Sequence, residues 1–329
     1  MQTISSDLTL GGPGGVHTAG LKPVFSIPLK SALTSFPGLT STFARNSAAT
    51  YIDDDSILQT AGIGVPRFQN GRYLVEPAAT NRFLQSGTPA TQVIAVVSGT
   101  VYTVQCYGSG SITLSGAGTG SVVEGAPITF TASSTSLTCT VSGSLNRAQV
   151  ETGTKATSYI PTTTTPVTRA ADALHYAVGD VITQGQGSLY CEFYNEILNS
   201  GESRVLLCLS DGTSSNRLYF QINASNLLTF LVVTGGTTVG YLSGSVSSVI
   251  GLNKVLLTYA DNNMRLYLNG ATAGEDLSGV INTTMNKLSA GCLEGGTAQA
   301  NRELGNVKYF KEVLTPAEAI KLTTLWEGV

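Results

Sequence analysis

The sequence predicts an all-β protein: a small antiparallel β-sandwich followed by a two-sheet jelly roll, with an extended N-terminal arm and one short C-terminal helix. Three observations predict it. Ser and Thr supply about a quarter of the 329 residues and there are 37 glycines, while charged residues make up only 12%, against the ~25% usual for a soluble domain. Apolar residues then recur with a period of two in a dozen short runs separated by Gly, Ser, Asn and Asp, the pattern of half-buried strands and turns. Only one segment has the period and end signals of a helix.

Taken in chain order, residues 1–40 hold a Gly/Pro-rich stretch without alternation, "LGGPGGVHTAGLKPVFSIPLK". Such a stretch gains stability only by lying on something else, and we expect an extended, anchoring arm. Residues 41–86 alternate more clearly: "ATYID" and "RYLVE" read as short strands, with turns at "DDDS" and "QNG". Asp53, Asp54 and Asp55 return at once to the apolar Ile57-Leu58, unlike a calcium loop with oxygen ligands spread over about a dozen residues. A solvated turn is expected there.

Residues 87–152 contain "QVIAVV", "VYTVQCY", "SITLSG", "ITFTA", "LTCTVSG" and "RAQVE", with turns every 8–12 residues as in a small antiparallel sandwich. Residues 153–172 hold "ATSYIPTTTTPVTRAAD", a linker by composition. Its path should be ordered by docking of Tyr159 and Ile160 and by pairing of Arg169 with an acid. Residues 173–329 carry the longer runs "GSLYCEFYNEI", "SRVLLCLSDG", "NRLYFQINA", "LLTFLVVTG", "NKVLLTYAD" and "MRLYLNGATA", which suit a jelly roll. Asn269-Gly270 suits a positive-φ turn. In "LTPAEAIKLTTLW", Thr315 is the N-cap, Pro316 opens the helix and Glu318 closes a capping box. Leu314, Ile320 and Leu325 would form its apolar side.

Two resemblances attach to these residues. Tyr259, Leu266, Tyr267, Asn269, Gly270, Gly291, Leu314 and Glu318 make the last 155 or so residues similar to the closing half of a laminin-G/concanavalin-A-like lectin sandwich. Phe43, Arg45, Ser47, Ala49, Thr50, Tyr51, Pro66, Arg67, Phe68, Glu76, Thr80 and Asn81 resemble a segment recurrent in tailed-bacteriophage structural proteins, with Ser56 where Gly is common. "AQVETGTKATSYIPTTTTPVTRAAD", from Ala148 through Asp172, resembles a second phage signature that links a small sandwich to a terminal lectin-like one. The resemblance implies a tail appendage or fibre-type virion protein, assembled in the host cytoplasm. It also implies self-association, commonly as a homotrimer, and contact with other virion proteins through the arm.

Composition narrows the partners. Net charge is −3 with no basic cluster, so nucleic acid is not an expected partner. No apolar run approaches the ~18 residues of a membrane span, so no membrane insertion is expected, and the N-terminus lacks the two regions of a Sec signal. Cys106, Cys139, Cys191, Cys208 and Cys292 form no CxxC pair and read as buried thiols. No cofactor and no metal are expected.

For catalysis, Glu192 and Glu196 would lie roughly 13 Å apart on a strand, and Glu275 and Asp276 would face opposite ways, so neither makes a glycosidase pair. His17 and His175 lack a nucleophile elbow. The expectation is therefore no enzyme. Carbohydrate-binding candidates are the rim-loop residues Asp211, Ser214 and Asn216 in "LSDGTSSNRLY" and Asp261, Asn262 and Asn263 in "ADNN", although such residues also serve turns. Three functions stay open: a tail appendage contacting host-surface polysaccharide, a purely structural head fibre, decoration or collar protein, and a glycan-cleaving enzyme.

Overall fold

In the computed structural model the described residues are 21–33, 39–196, 201–281 and 285–325. The period-two runs pair antiparallel and stack as two sheets. One sheet has the order Ala271–Asp276, Met264–Leu268, Gly251–Tyr259, Gly187–Asn195, Arg302–Phe310, Arg72–Val75, Arg67–Gln69. The facing sheet runs Thr237–Ser247, Leu227–Thr234, Arg217–Ile222, Arg204–Ser210, Lys287–Ala290, Ala173–Ala177, Thr40–Ala44. Between them lies the main core, in which Leu189, Phe193 and Leu257 meet Leu207, Phe220 and Phe230.

The jelly roll is not confined to residues 173–329. Phe25–Ile27 pairs with residues 307–309, and Arg72–Val75 continues along the same edge of that strand against residues 302–304. Thr40–Ala44 adds itself to Ala173–Ala177 on the other sheet. Phe25, Ile27, Leu29, Tyr73 and Val75 are all buried in the main core. The expected boundary at 40 therefore does not separate folding units, and Thr40–Ala44, Arg67–Gln69 and Arg72–Val75 belong to the jelly roll rather than to a segment of their own, while the boundary at 86 falls just before the second module. Residues 21–33, expected as part of an extended anchoring arm, are a structural strip of the sandwich; residues 1–20 and 34–38 of that arm lie outside the described residues. The reason is edge coverage: the strand 302–310 would otherwise expose its unpaired backbone groups. At Gly291 a Cβ would lie 2.6 Å from Val75 Cγ1, so the glycine is what lets this N-terminal strip press against the opposite sheet.

Residues 92–152 form the second module, with its own core of Tyr102, Val104, Ile112, Leu114, Leu137 and Val150. Its frame is one long hairpin, Val101–Gly116 with Ser136–Thr152, paired over nearly its full length. The hairpin folds back on itself. Ala132 donates to Thr100 O while the adjacent Ser133 donates to Ala117 O, so the two ends of Val101–Gly116 are brought together. Gly110 and Gly143 permit the bend: a Cβ on Gly110 would lie 2.4 Å from Ser142 O. The expected small sandwich is thus a curled hairpin closed by short strands at Gln92–Ala95, Gly120–Val122 and Ile128–Thr131.

Smaller expectations follow the same physics. Asp53 accepts from the backbone N–H groups of Asp55 and Ile57 at 3.1 and 2.8 Å and from Gln59, so its carboxylate caps its own turn. Ser56 sits at φ 62°, the left-handed conformation that explains why glycine is common at this place in the resembling segment. Asn269 and Gly270 have φ of 50° and 83°, as a type I′ turn requires. The helix spans Pro316–Thr323 with the full capping box at Thr315 and Glu318. Its buried side uses Leu314, Ala319 and Thr323 rather than Ile320, which is 36% exposed. The shorter Ala319 side chain is the one packed among Tyr190, Leu256, Tyr267 and Phe310. Trp326 lies outside the described residues. All five cysteines are free and buried, and burial pushes the thiols of Cys139 and Cys292 up to about 12 and about 11, as expected of inert core thiols.

Buried charge ties residues 45–76 to the linker beside the second module. Arg45 donates to Asp172 Oδ1 at 3.0 Å, Arg67 to Asp172 Oδ2 at 2.5 Å and to Glu76 Oε2 at 2.7 Å, and Arg169 lies 2.8 Å from Glu76 Oε2. None of these five side chains is more than 5% exposed. Ser158 closes the circuit, its N–H and hydroxyl both donating to Glu76 at 2.6 Å. Beside it, Glu151 accepts from Thr157 N, Thr157 Oγ1 and Gln149 Nε2, while Gln149 Oε1 accepts from Ile160 N. Tyr159 and Ile160 are buried. The ordered path expected for the linker is met, including the acidic partner of Arg169.

Two predictions come from this joint. Arg67→Met leaves Glu76 and Asp172 buried and short of a cation, which costs about 3–5 kcal/mol; the urea midpoint should fall accordingly at constant slope, and a loss below about 1 kcal/mol would show the network to be dispensable. The second concerns acid. Burial alone would raise the Glu76 carboxyl, but Arg169, Arg67 and the Ser158 hydrogen bonds outweigh it and hold the group at about 2, below its ordinary 4.5. A carboxyl lowered on folding stabilises above its unfolded value and loses that contribution as pH falls. Melting temperature should therefore drop between pH 4.5 and 2, and less steeply in Glu76→Gln; identical slopes in the two proteins would contradict the assignment.

Candidate functional site

The rim residues named from the sequence fall in two separately anchored loops. Asp211 and Asn216 are brought together: Asp211 Oδ2 accepts from Asn216 Nδ2 at 2.7 Å, and Asp211 Oδ1 accepts from Thr213 N and Oγ1. These hydrogen bonds lower the Asp211 carboxyl despite the opposing effect of what burial it has. Asn216 Oδ1 in turn accepts from Gly235 N, and Gly236 N donates to Ser215 O, which ties this loop to the turn at 235–236. Ser214 is exposed at its crest.

The other loop turns through Asn262 at φ 55°. It is held to residues 279–281 by Asn262 N donating to Gly279 O and by Ile281 N donating to Asp261 Oδ1 at 2.7 Å. Asn263 Oδ1 accepts from Arg265. Both loops are well ordered by their own polar side chains. Ser214 on the first loop and Asp261 and Asn262 on the second are exposed to solvent.

The carboxylates weighed for catalysis have other occupations. Glu192 accepts from Tyr190 Oη at 2.7 Å and from Asn306 Nδ2 at 2.6 Å. Glu275 pairs with Arg265, and Asp276 accepts from Ser278 and from Tyr241 N. His175 Nδ1 lies 2.9 Å from Ser289 Oγ, but Ser289 is fully buried. Burial, then the neighbouring Lys287, pull the imidazole down to about 4, so it is neutral at pH 7. His17 lies outside the described residues.

Sequence reasoning missed a concavity between the two modules. It opens where the curled hairpin meets the jelly roll, with a cavity volume near 380 Å³. Its floor is the joint itself, at Glu76, Thr157 and Ser158; Tyr107 and Arg147 line one wall, and Tyr194 and Glu303 the other. Arg72 lies over the Tyr194 ring at 4.7 Å and Arg147 over the Tyr107 ring at 4.4 Å, which holds both rings in place. These residues come from distant parts of the chain, and no spacing in the sequence joins them. The one hint was position: Arg147 immediately precedes the "AQVETGTKATSYIP" stretch and Lys155 lies within it.

Residues 192–319 match the sequence model of the laminin G type described as concanavalin A-like lectin/glucanases superfamily. Among solved structures, a CBM40 of Ruminococcus gnavus IT-sialidase bound to alpha2,6 sialyllactose is 16% identical over 45% of this chain and 92% of that one, with a TM-score of 0.36. The leech intramolecular trans-sialidase is 15% identical over 47% of this chain and 26% of its own, TM-score 0.37. A heptameric SAP-like pentraxin from Limulus polyphemus is 15% identical over 42% and 69%, TM-score 0.32. No curated protein matches the chain. With the two stacked sheets already described, the sequence match identifies residues 192–319 as a laminin G/concanavalin A-like lectin-type domain.

Proposed function

We propose that the chain is a structural protein of a tailed-bacteriophage virion, a tail appendage or fibre that self-associates, commonly as a homotrimer, and touches host-surface carbohydrate through its lectin-like domain. One observation carries the reading. The residues by which the sequence resembles phage structural proteins converge on a single place: Arg45, Arg67, Glu76, Gln149, Glu151, Ser158, Arg169 and Asp172 are all buried or half-buried at the joint. What is shared with those proteins is therefore the architecture of a joint, a small sandwich locked onto a lectin-like one. In this reading Ser214 and Asn262 present the exposed polar groups of the two rim loops, with Asp211, Asn216, Asp261 and Asn263 shaping them.

A second reading, a head fibre, decoration or collar protein without glycan binding, is favoured by the way the Asp211 carboxylate is already saturated by Thr213 and Asn216. Two measurements separate them. Immunogold labelling of particles with antibody to the chain should mark the tail; label on the capsid would sink the first reading. Retention of the protein on purified host-surface polysaccharide should fall about tenfold in affinity in Ser214→Ala/Asn262→Ala, whereas equal retention of both would remove the rim loops from the contact. Release of reducing ends from that polysaccharide would point to cleavage instead.

A further inference from the structure

The cleft between the two modules has a charge balance opposite to that of the whole chain. Two of its carboxylates are spoken for: Glu76 by Arg67 and Arg169, and Glu303 by Arg72 at 3.0 Å with Gln69 and Asn70 also donating to it. What is left on the walls is three cations, Arg147, Lys155 and the buried Arg302, and one acid, Glu196. Arg147 stacks on the Tyr107 ring and approaches the Tyr159 ring at 6.0 Å, and among the described residues it makes no ion pair. Lys155, with 11% of its side chain exposed, donates to Asn301 O at 3.0 Å, and its carboxylate neighbour, the half-exposed Glu196, stands 3.8 Å away.

The surroundings add to this excess. Arg302, buried at the cleft's edge, bonds to Ala300 O and to the neutral Asn195 amide at 2.5 Å. Burial, then repulsion from Arg204, lower it to about 10. Beneath the floor, three guanidiniums face two carboxylates in the ion-paired joint. Burial also lowers Lys155, with Glu196 offsetting this in part, so an arriving anion would compensate a desolvated cation. In a chain of net charge −3, a concave, locally positive site draws anions.

The rest of the lining narrows the class. Tyrosine rings at 51, 107 and 194 line the cleft together with the amides of Gln69, Gln105 and Asn301, the two glutamines each already holding neighbours at both ends of the amide, a mixture of flat apolar faces and polar edges. That suits a pyranose, whose C–H face is apolar and whose rim is hydroxyl, better than an aliphatic ligand. A volume near 380 Å³ lies at the small end of ligand sites and holds one or two sugar rings. Arg302 is buried and bonded to Asn195 and Ala300, so the surplus an entering ligand meets, Arg147 and Lys155 against Glu196, is a single positive charge, which fits a carboxylate better than a phosphate dianion.

The geometry points to this cleft as a binding site for a carboxylate-bearing saccharide, with Arg147 and Lys155 receiving the carboxylate and the tyrosine rings and amides receiving the sugar. It is separate from the rim loops and independent of whether the protein belongs to a virion.

The test is calorimetric titration of the full chain at low salt with four probes: tri-galacturonate, the methyl glycoside of N-acetylneuraminic acid, maltotriose and inorganic phosphate. At least one acidic sugar should bind, more weakly as salt rises, and the pair distinguishes a uronate from a nonulosonate. Arg147→Gln should weaken that binding by about tenfold or more without moving the melting temperature, and Lys155→Gln should do the same to the binding if it folds. Ser214→Ala/Asn262→Ala should leave it unchanged. Equal affinity for maltotriose, equal affinity for phosphate, no binding of either acidic sugar, or indifference to Arg147→Gln would each overturn the assignment. Loss of binding in the rim variant would move the site to the rim loops.

Discussion

Three arginines and two carboxylates, sealed from water, hold this molecule in one shape. Arg45, Arg67, Glu76, Arg169 and Asp172 come from four separate stretches of chain, and each carboxylate answers to two of the arginines. Burying ions is expensive, and the expense is recovered only where geometry is good and the remaining donors are satisfied. Here they largely are: Arg45 also donates to the carbonyls of Ser47, Gly62 and Val65, and Arg67 to Thr50 O and Ser158 Oγ. A hydrophobic patch of equal area would tolerate sliding. A directional network of this kind accepts one register, which is what a joint between two sandwiches needs.

That constraint accounts for the position of everything else. The hairpin Ala49–Ile52/Leu58–Ala61 is pinned beside the linker by Arg45 and Arg67. The linker's Thr157-Ser158 supplies the hydrogen-bonding turn between the Glu151 and Glu76 carboxylates. The cleft exists because the two modules are held at a fixed separation by this floor. Rim loops, by contrast, depend only on their own turns and on the neighbouring strands, so they would form on the jelly roll without the other module.

Legibility in the sequence followed the range of the interactions. The positive-φ turn at Asn269-Gly270, the capping box of Thr315 and Glu318, and the curled hairpin's alternating strands depend on neighbours a few residues away, and period and turn chemistry reveal them. Phe25–Ile27 did not read as a strand because three residues flanked by prolines offer too little alternation. It becomes one only because the strand 302–310 presents an open edge. The apolar side of the helix was misjudged at Ile320 for a related reason: which face a short helix buries is decided by the Tyr190–Tyr267 surface it lands on. Of the candidate sites, the rim loops were legible as polar turns, whereas the cleft was not, since Tyr107, Arg147, Tyr194 and Glu303 meet only after both modules dock.

Taken alone, the sequence determined the all-β class, the lectin-like jelly roll at the C-terminal end, the presence of a small antiparallel β module before it and the identity of the residues that matter at "ATSYIP" and "TRAAD". These are properties of local pattern and of residue type, which folding does not alter. Only the tertiary structure decided that the Thr/Pro stretch is the floor of a joint and not a spacer, that Phe25–Ile27, Thr40–Ala44, Arg67–Gln69 and Arg72–Val75 belong to the sheets of the C-terminal sandwich, and that Arg147 and Lys155 face a common cleft. Each of those is a matter of which distant charges and edges come to share the same low-dielectric space, and sequence separation carries no record of that.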